Sequence, residues 1–431
     1  MKHRFYFYFT RHLPRAIVFL LCLALLAGCS AAPEPPEPEM LTDEDADTES
    51  GTVASAETVA PERVIDVTAQ PIDALLPQSG FVILFVNVGK ADAAILRFGE
   101  TAVLIDTGSA ESAPQLIAGL NALGIRQISA VFITHSHSDH LGGLGALSAN
   151  YDIPVVYSPF FSEKDKDGDP KIVQRAEKLG LPHKELVTGD VVPVADDVTF
   201  AVLGPLSLNE EDDNDNSLVL QFSFGGKTFL FTGDMQFLEE QAIIDSGAAL
   251  ASDVLKVGNH GNPDATGEDF AALVSPSFAV ISTDTTVDVD SANPRVYAAL
   301  PGAQIAVTQD FPLGVLLTLD DSGAIALSNP ARASAAVSVA VSGFDVEAQT
   351  ITLVNNSADT ADLSGMILFS MRSDAVLRFP DGTTLGAGET LVVGADGAFS
   401  FHGEDKPLSK KKENSVMLYS AMGALISQLE Q

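Results

Sequence analysis

The sequence predicts an α/β protein in which a layered α/β domain precedes a small all-β sandwich. Short apolar runs alternate with helical patterns between residues 81 and 307, as expected for sheets covered by helices. After residue 340 only strand-like runs remain, separated by turn residues. The chain has 431 residues and 46% of them are hydrophobic, so it can bury the cores of two or three domains.

The N-terminus has the features of a targeting segment. Four basic residues lie before or beside the apolar run 16–27, which is too short to span a bilayer comfortably. The run leads into Leu26-Ala27-Gly28-Cys29, which resembles a bacterial lipobox. The resemblance implies that residues 1–28 are a lipoprotein signal peptide and that Cys29 carries the lipid; an ordinary signal peptide or an uncleaved anchor are the alternatives. We therefore expect an exported protein, lipid-anchored to the outer face of a bacterial cell membrane.

Composition predicts the remaining organisation. Residues 29–75 are expected to form a tether, because they include a proline- and glutamate-rich stretch and an acidic stretch that cannot bury a core. The α/β domain is then assigned to residues 76–329 and the β-sandwich to 340–431, with an Ala/Ser-rich linker between them.

The charge and cysteine content exclude some classes of function. Lys and Arg number 24 against 58 Asp and Glu, a net charge of −34, so no broad basic patch is available to hold nucleic acid. The two cysteines are Cys22, inside the predicted signal peptide, and Cys29. The mature protein would therefore have no free thiol, which excludes thiol catalysis.

Apolar runs predict the strands of the α/β domain at 81–88, 93–98, 101–105, 130–134, 218–224, 228–231, 254–257, 278–282 and 304–307. Leucine and isoleucine at helical spacing predict a helix over 112–123 that stops at Gly124. The two runs on either side of Gly225-Gly226 predict a hairpin. The sandwich strands are predicted at 351–354, 366–369, 391–393 and 416–418.

One loop concentrates potential metal ligands. Three of the eight histidines, His135, His137 and His140, fall within six residues, and Asp139 lies among them. They follow a strand predicted to be buried and precede a helix start, so a rigid framework would support them. His135 and His137 can address one ion, and Asp139 and His140 a second. Imidazole and carboxylate ligands suit zinc, with manganese or iron as alternatives.

The run His135-Ser-His137-Ser-Asp139-His140 resembles the His-x-His-x-Asp-His signature of metallo-β-lactamase-fold hydrolases. Further segments, in the same order, are similar to the branch of that family found in the competence DNA-uptake protein ComEC. These segments are Phe85–Ala93, Leu104–Gly108, Asp215–Leu220, Leu230–Asp234 and Leu255–Asn262. The resemblance extends over residues 80–328 and implies a four-layer αββα fold.

The resemblance also implies a site with two zinc ions. Its implied ligands are His135 and His137 for one ion, Asp139 and His140 for the other, Asp234 as the bridge and His260 at the far rim. Two such ions share a water and lower its pKa toward about 7, so the implied reaction is hydrolysis by a metal-activated hydroxide. Asp139 and Asp234 would be its catalytic carboxylates, and Asp106 would orient a ligand by hydrogen bonding.

Several residues depart from the family pattern. Asn259 replaces the first histidine of a His-His pair, which weakens the second metal site or leaves it dependent on His260. Lys90 replaces a glutamine, and it either meets an anionic substrate or is an ordinary surface lysine. Asn216 or Asn214 could contribute an amide oxygen to the first site.

Residues 340–431 resemble the lamin-tail domain, an immunoglobulin-like sandwich attached to many bacterial secreted hydrolases. The similar segments begin at Thr350, Ala361, Arg378, Gly388 and Ser415. They consist mainly of turn and core positions, so they indicate a fold and not an activity. A binding or spacer role is the expectation for this domain.

The expected function is that of a surface-tethered hydrolase of phosphodiester or phosphate-ester bonds. Its substrate would be a small molecule or an envelope polymer, because the negative charge disfavours nucleic acid. A β-lactamase or thioester hydrolase is another enzyme of the same fold. The alternative of a different class is a non-catalytic or degenerate metal-binding protein that serves recognition at the envelope.

Overall fold

The computed structural model describes residues 65, 68–77, 80–320, 322–331, 338–394 and 397–431. The predicted signal peptide, Cys29 and most of the predicted tether lie outside these residues. Across the described ranges, every helix is too short or too polar to cross a bilayer.

The α/β domain contains two β-sheets and eight α-helices among its described residues. Its strands are β1 (Ala69–Pro71), β2 (Phe81–Val86), β3 (Ala94–Phe98), β4 (Thr101–Ile105), β5 (Ala130–Phe132), β6 (Val156–Pro159), β7 (His183–Leu186), β8 (Val191–Ala195), β9 (Val198–Gly204), β10 (Val219–Phe224), β11 (Lys227–Phe231), β12 (Val254–Lys256), β13 (Phe278–Ile281), β14 (Gln304–Val307), β15 (Gly314–Leu319) and β16 (Ile325–Ala331). Its helices are α1 (Ile72–Leu75), α2 (Ala113–Ala122), α3 (Ser138–Leu141), α4 (Leu144–Asn150), α5 (Lys171–Lys178), α6 (Phe237–Ser246), α7 (Glu268–Val274) and α8 (Pro294–Ala299). Short 3-10 helices span Asp213–Asn216, Asn259–Gly261 and Thr308–Asp310.

The two sheets pack face to face. One has the strand order β1-β16-β15-β2-β3-β4-β5-β6-β7 and the other β14-β13-β12-β11-β10-β9-β8. Phenylalanines fill the space between them: the ring of Phe81 lies 4.5 Å from that of Phe224, and Phe85 lies 5.7 Å from Phe231. Because β2 is buried on both faces, it reads as a continuous apolar run and not as an alternating one.

Helices cover the outer face of each sheet. Helix α2 contributes Leu116, Ile117 and Leu120 to the outer core of the larger sheet, whereas α6, α7 and α8 pack on the smaller sheet. Helix α2 ends before Gly124, whose φ of +69° suits a residue without a side chain. The four-layer αββα arrangement predicted for this domain is therefore confirmed.

The boundaries of the α/β domain are wider than predicted. Strand β1 pairs in parallel with β16, with Ala69 opposite Asn329, so residues 69–75 belong to the fold and not to the tether assigned to 29–75. Strand β16 continues to Ala331, past the predicted end at residue 329. Strand β1 forms the exposed edge of the sheet and β16 lies next to it, and no apolar run marks either segment in the sequence.

The C-terminal region is all-β, as predicted. Its strands are β17 (Val339–Asp345), β18 (Thr350–Asn355), β19 (Ala361–Asp362), β20 (Ile367–Ser370), β21 (Ala375–Arg378), β22 (Thr384–Leu385), β23 (Thr390–Val393), β24 (Ser415–Tyr419) and β25 (Leu425–Glu430). They form three small sheets around a core of their own. Ile367, Phe369, Val376 and Met417 also join the outer core of the α/β domain, so the two regions share packed surface.

Candidate metal centre

Parallel strands of the larger sheet position the first half of the site. Ile105 at the end of β4 lies opposite Phe132 at the end of β5, so the residues that follow the two strands meet at one edge. There Asp106 accepts hydrogen bonds from the backbone N–H and the hydroxyl of Thr134, each at 2.8 Å. This contact anchors the loop that carries His135 to His140.

The smaller sheet supplies the second half. Asp234 follows β11 and His260 follows β12, and these two strands are parallel neighbours. Asn259 and His260 have φ values of +42° and +53°, in the left-handed region. Non-glycine residues rarely adopt this conformation, and such strain concentrates at functional sites.

The two halves meet at the carboxylate of Asp234. Its Oδ2 lies 3.1 Å from His260 Nε2, 3.2 Å from His140 Nε2 and 3.9 Å from His135 Nε2. His260 Nε2 is also 3.3 Å from Oδ2 of Asp139. Among the described residues, potential ligand atoms therefore lie within 4.8 Å of one another in four overlapping groups. Two of them are His135, His140 and Asp234, and Asp139, His140 and His260; the other two are Asp92, Asp234 and His260, and Asp92, Asp106 and His140.

The Nδ1 atom of each buried imidazole lies within hydrogen-bonding distance of an oxygen atom. His140 Nδ1 lies 2.9 Å from Asp106 Oδ2, and His260 Nδ1 lies 2.8 Å from the carbonyl oxygen of Ser282. His135 Nδ1 lies 3.1 Å from the hydroxyl of Thr134. Such contacts orient metal-binding histidines in proteins, because they fix the ring and leave the other nitrogen available. Here all three Nε2 atoms face Asp234.

The site carries opposed charges in a buried setting. Burial alone lowers the pKa of His140, but the carboxylates of Asp234 and Asp106 outweigh it and hold that pKa well above its usual range. In the same way, Asp234 and Asp139 raise the pKa of His260 to about 9 against the effect of burial. Protons thus supply the positive charge that the carboxylates attract, and a divalent cation could take their place.

The other two groups already have the protonation state of ligands. Burial, together with the charge of His140, holds the pKa of His135 well below its usual range, so this imidazole is neutral. Burial opposes ionisation of Asp234, but His140 and His260 outweigh it and hold its pKa well below the usual range. A neutral imidazole and an ionised carboxylate are the forms that bind metal.

Three buried polar atoms in this region lack a hydrogen-bond partner among the described residues: Asp92 Oδ1, Asp234 Oδ1 and His260 Nε2. The 3.1 Å contact between His260 and Asp234 lacks hydrogen-bond geometry. Leaving such atoms unmatched costs about 1–3 kcal/mol each. Because these atoms are carboxylate oxygens and an imidazole nitrogen, the donor set fits a divalent metal ion.

The predicted ligands converge, but their grouping differs from the expectation. His260 is fully buried and contacts Asp234, so it lies at the centre of the cluster and not at its rim. His137 is half-buried, and its Nδ1 lies 3.0 Å from His135 Nε2. His137 belongs to none of the four ligand groups although it contacts His135, so the pairing of His135 and His137 on one ion stays a prediction.

The residues singled out beside the predicted ligands differ in whether they reach the site. Lys90 Nζ lies 2.8 Å from Asp139 Oδ2, so it reaches the site and is not an isolated surface lysine. Asn216 donates to the carbonyl of Asn209 at 2.9 Å and so supports a neighbouring loop. The amide of Asn259 donates to Asp264 Oδ1 at 2.9 Å.

Two buried charges near the cluster were not predicted as site residues. Lys256 Nζ lies 2.6 Å from Asp92 Oδ2, and both side chains are almost fully buried. Asp92 Oδ1 is 3.7 Å from His260 Nδ1. Both residues lie in segments that carry the family resemblance. The sequence feature that could have pointed to them is a charged residue next to an apolar strand.

Comparison with known proteins shows what the α/β domain is similar to. Residues 86–285 match the family model of the metallo-beta-lactamase superfamily. ComE operon protein 3 of Bacillus subtilis is 36% identical over 169 residues, which cover 39% of this chain and 21% of that protein. Competence protein ComA of Neisseria gonorrhoeae is 28% identical over 212 residues, covering 48% of this chain and 28% of ComA. Exodeoxyribonuclease YycJ of Bacillus anthracis is 39% identical over 56 residues, covering 13% of this chain and 21% of YycJ. The chain thus matches only 21 to 28% of the length of these relatives.

Proposed function

Because the chain contains a domain of the metallo-beta-lactamase superfamily, we propose that the protein is a metal-dependent hydrolase of phosphodiester or phosphate-ester bonds. The observation that carries this proposal is the convergence of three imidazole Nε2 atoms on the carboxylate of Asp234. These groups come from both sheets and meet where buried ligand atoms are unmatched.

Each group of residues has a proposed role at the metal site. His135, His140, His260 and Asp234 would hold the metal, with Asp139 at the more exposed side. Divalent ions bound there would supply ionised water at neutral pH and stabilise charge on a phosphoryl oxygen. Asp234 would balance the positive charge of the site. The contacts with the Nδ1 atoms of the imidazoles would keep each ring in place during turnover.

Lys90 provides a second electrophilic group. Its ammonium lies at 2.8 Å from Asp139, and the lysine side chain is 29% exposed, so it can reach an incoming anion. Burial opposes its charge, but the hydrogen bond and charge of Asp139 raise the pKa of Lys90, which stays protonated. We assign it to contact with a phosphate oxygen.

The phosphoester class is favoured by the relatives and limited by the charge. One relative is named an exodeoxyribonuclease, which acts on phosphodiester bonds. The net charge of −34 opposes long polyanions, so small phosphoesters or phosphoester groups on an envelope polymer are preferred to DNA. Zinc is the preferred metal because of the imidazole ligands, with manganese or iron as alternatives.

Hydrolysis of bis-p-nitrophenyl phosphate by the metal-loaded protein tests the proposal. We expect metal-dependent turnover that falls at least about 100-fold in D234N, since this substitution removes a charged ligand. The matched control is D253N, because Asp253 also accepts hydrogen bonds from a lysine and a backbone N–H, at the opposite end of β11 and β12. Equal rates in the wild type, D234N and metal-free protein would contradict the proposal.

A non-catalytic metal-binding protein is the second candidate. It is favoured by Asn259 in place of a histidine and by the ion pair that occupies Asp139. Stoichiometric metal without turnover of any phosphoester would support it. The proposed lipid anchor is tested separately, since C29A is expected to move the protein from the membrane fraction to the soluble fraction.

A further inference from the structure

A cleft of about 420 Å³ opens beside the candidate metal centre. Its lining comes from residues 162–164, 208–213 and Asn216, and His137 also lines it. Because His137 Nδ1 is 3.0 Å from His135 Nε2, the cleft begins at the edge of the cluster.

The cleft is strongly acidic. Its carboxylates are those of Glu163, Glu210, Glu211, Asp212 and Asp213, against the single lysine Lys164. Three of the five are already engaged: Glu163 pairs with Lys171, Asp213 accepts two backbone N–H groups at 2.8 Å, and Asp212 accepts the backbone N–H of Asn214 at 3.0 Å. Glu210, Glu211 and Asp212 have no ion-pair partner within the described part of the chain. Negative charge is therefore left uncompensated in the cleft.

A buried hydroxyl in the same cleft is also unmatched. Ser162 is 1% exposed, and its Oγ has no hydrogen-bond partner among the described residues although it lines the cleft. A buried hydroxyl normally finds a hydrogen-bond partner, so this one is left with unused hydrogen-bonding capacity at the lining of the cleft. It can accept a hydrogen bond from an ammonium group.

We infer that the substrate is zwitterionic: a phosphoester with a primary or secondary ammonium group on one alcohol. This inference rests on the proposed function and specifies its substrate class. The phosphate would lie at the histidine cluster, and the ammonium would lie in the cleft near Glu210 and Glu211. A second phosphate there would face uncompensated carboxylates, which disfavours a polyanion.

The lining distinguishes between kinds of cation. None of the described residues that line the cleft is Phe, Tyr or Trp, so the aromatic cage that suits a quaternary ammonium is missing from this lining. Carboxylates and the Ser162 hydroxyl instead accept hydrogen bonds, which an N–H donor can satisfy. A primary amine therefore fits better than a trimethylammonium group.

Two phosphodiesters of nearly equal size test the inference, p-nitrophenyl 2-aminoethyl phosphate and p-nitrophenyl propyl phosphate. In both, water oxygen bonds to phosphorus and the bond to the nitrophenyl oxygen breaks. The products are the alkyl phosphate and p-nitrophenolate, and the proton passes to solvent. We expect kcat/KM to be about tenfold higher for the aminoethyl ester at low salt, and the preference to shrink as salt rises.

The double substitution E210Q/E211Q should lower that preference by about three- to tenfold while leaving the propyl ester almost unaffected. The control E100Q/E177Q removes the same charge from two exposed glutamates of the domain that do not line the cleft, and it should keep the preference. Metal content and circular dichroism confirm that both variants are folded.

The outcomes separate this inference from the proposed function. Equal kcat/KM for the two esters, an unchanged preference in E210Q/E211Q, or faster cleavage of a dinucleotide would overturn the inference, even if bis-p-nitrophenyl phosphate is hydrolysed. Absence of turnover of all these esters by the metal-loaded protein would overturn the proposed function and the inference together.

Discussion

At the scale of single residues, Asp106 connects the loop after β5 to the ligand His140. It accepts two hydrogen bonds from Thr134 and lies 2.9 Å from His140 Nδ1, so one carboxylate links the strand end to a ligand. Its φ is +60°, a conformation that aspartate and asparagine adopt more readily than other side chains. Asparagine is therefore the substitution that changes the charge and spares the backbone.

We predict that D106N weakens metal affinity by about 10- to 100-fold, because an amide orients the imidazole less firmly than a carboxylate does. Competition against a chromogenic chelator measures the affinity, and circular dichroism checks the fold. D253N serves as the control, since it removes a hydrogen-bonded carboxylate distant from the ligands along the strands. Unchanged affinity in D106N would show that Asp106 does not support the metal site.

At the scale of elements, parallel strand ends gather ligands that are distant in the sequence. The local pattern predicts the ligands of one short loop after a buried strand, namely His135, His137, Asp139 and His140. Asp234 could be selected only through the family resemblance, since an aspartate after a strand is common. The ion pair of Asp92 with Lys256, the last residue of β12, joins residues 164 positions apart, and no local pattern indicates that they meet.

The strand prediction is also limited by contacts between segments that are distant in the sequence. Strand β2 is buried on both faces, and its continuous apolar run predicts it to within two residues of its ends. Strand β15 is also largely buried, but it is not among the strands predicted from the sequence. Strand β16 contains Asn329 and Pro330, which resemble a linker, yet it pairs on both sides with β1 and β15. Pairing, and not composition, makes this segment a strand.

Helix α6 carries a buried carboxylate that should make stability depend on pH. Burial raises the pKa of Glu240 from 4.5 to about 7, although the backbone N–H groups of Thr266 and Gly267 donate to it. Because the folded-state pKa lies above the unfolded one, the folded state binds the proton more tightly. Stability from this group is complete below about pH 4.5 and is lost as pH rises through about 7.

We predict that E240Q flattens this pH dependence. The free energy of unfolding of the wild type should fall between pH 5 and pH 7.5 by on the order of 2 kcal/mol more than that of E240Q. Urea denaturation at the two pH values measures the difference. The exposed Glu268 gives the control E268Q, which should retain the wild-type slope. An identical slope in E240Q would contradict the prediction.

At the scale of the whole molecule, the C-terminal sandwich is docked on the α/β domain. Asn121 in α2 donates to the carbonyls of Gly365 and Ala421, each at 2.9 Å, and accepts from Arg378 Nε at 2.6 Å. Asn150 in α4 makes a second bridge, since it accepts from the backbone N–H of Arg378 at 2.7 Å. Together with the shared core, these contacts favour a fixed module over a freely moving spacer.

We predict that N121A lowers the free energy of unfolding by about 2 kcal/mol, because three partners at the interface lose their hydrogen bonds. Both regions should still unfold in one transition, because they share a hydrophobic core. Denaturation followed by fluorescence and circular dichroism measures this, with N356A at an exposed asparagine as the control. Two separate transitions in the wild type would show that the sandwich is independent.

The central claim is that imidazoles and carboxylates from both sheets surround a divalent metal. A zinc-edge anomalous difference map of crystals grown with zinc tests it most directly. The account predicts density within about 2.0–2.2 Å of Asp234 and of the Nε2 atoms of His140 or His260. Zinc bound elsewhere, with these side chains in contact only with one another, would contradict it.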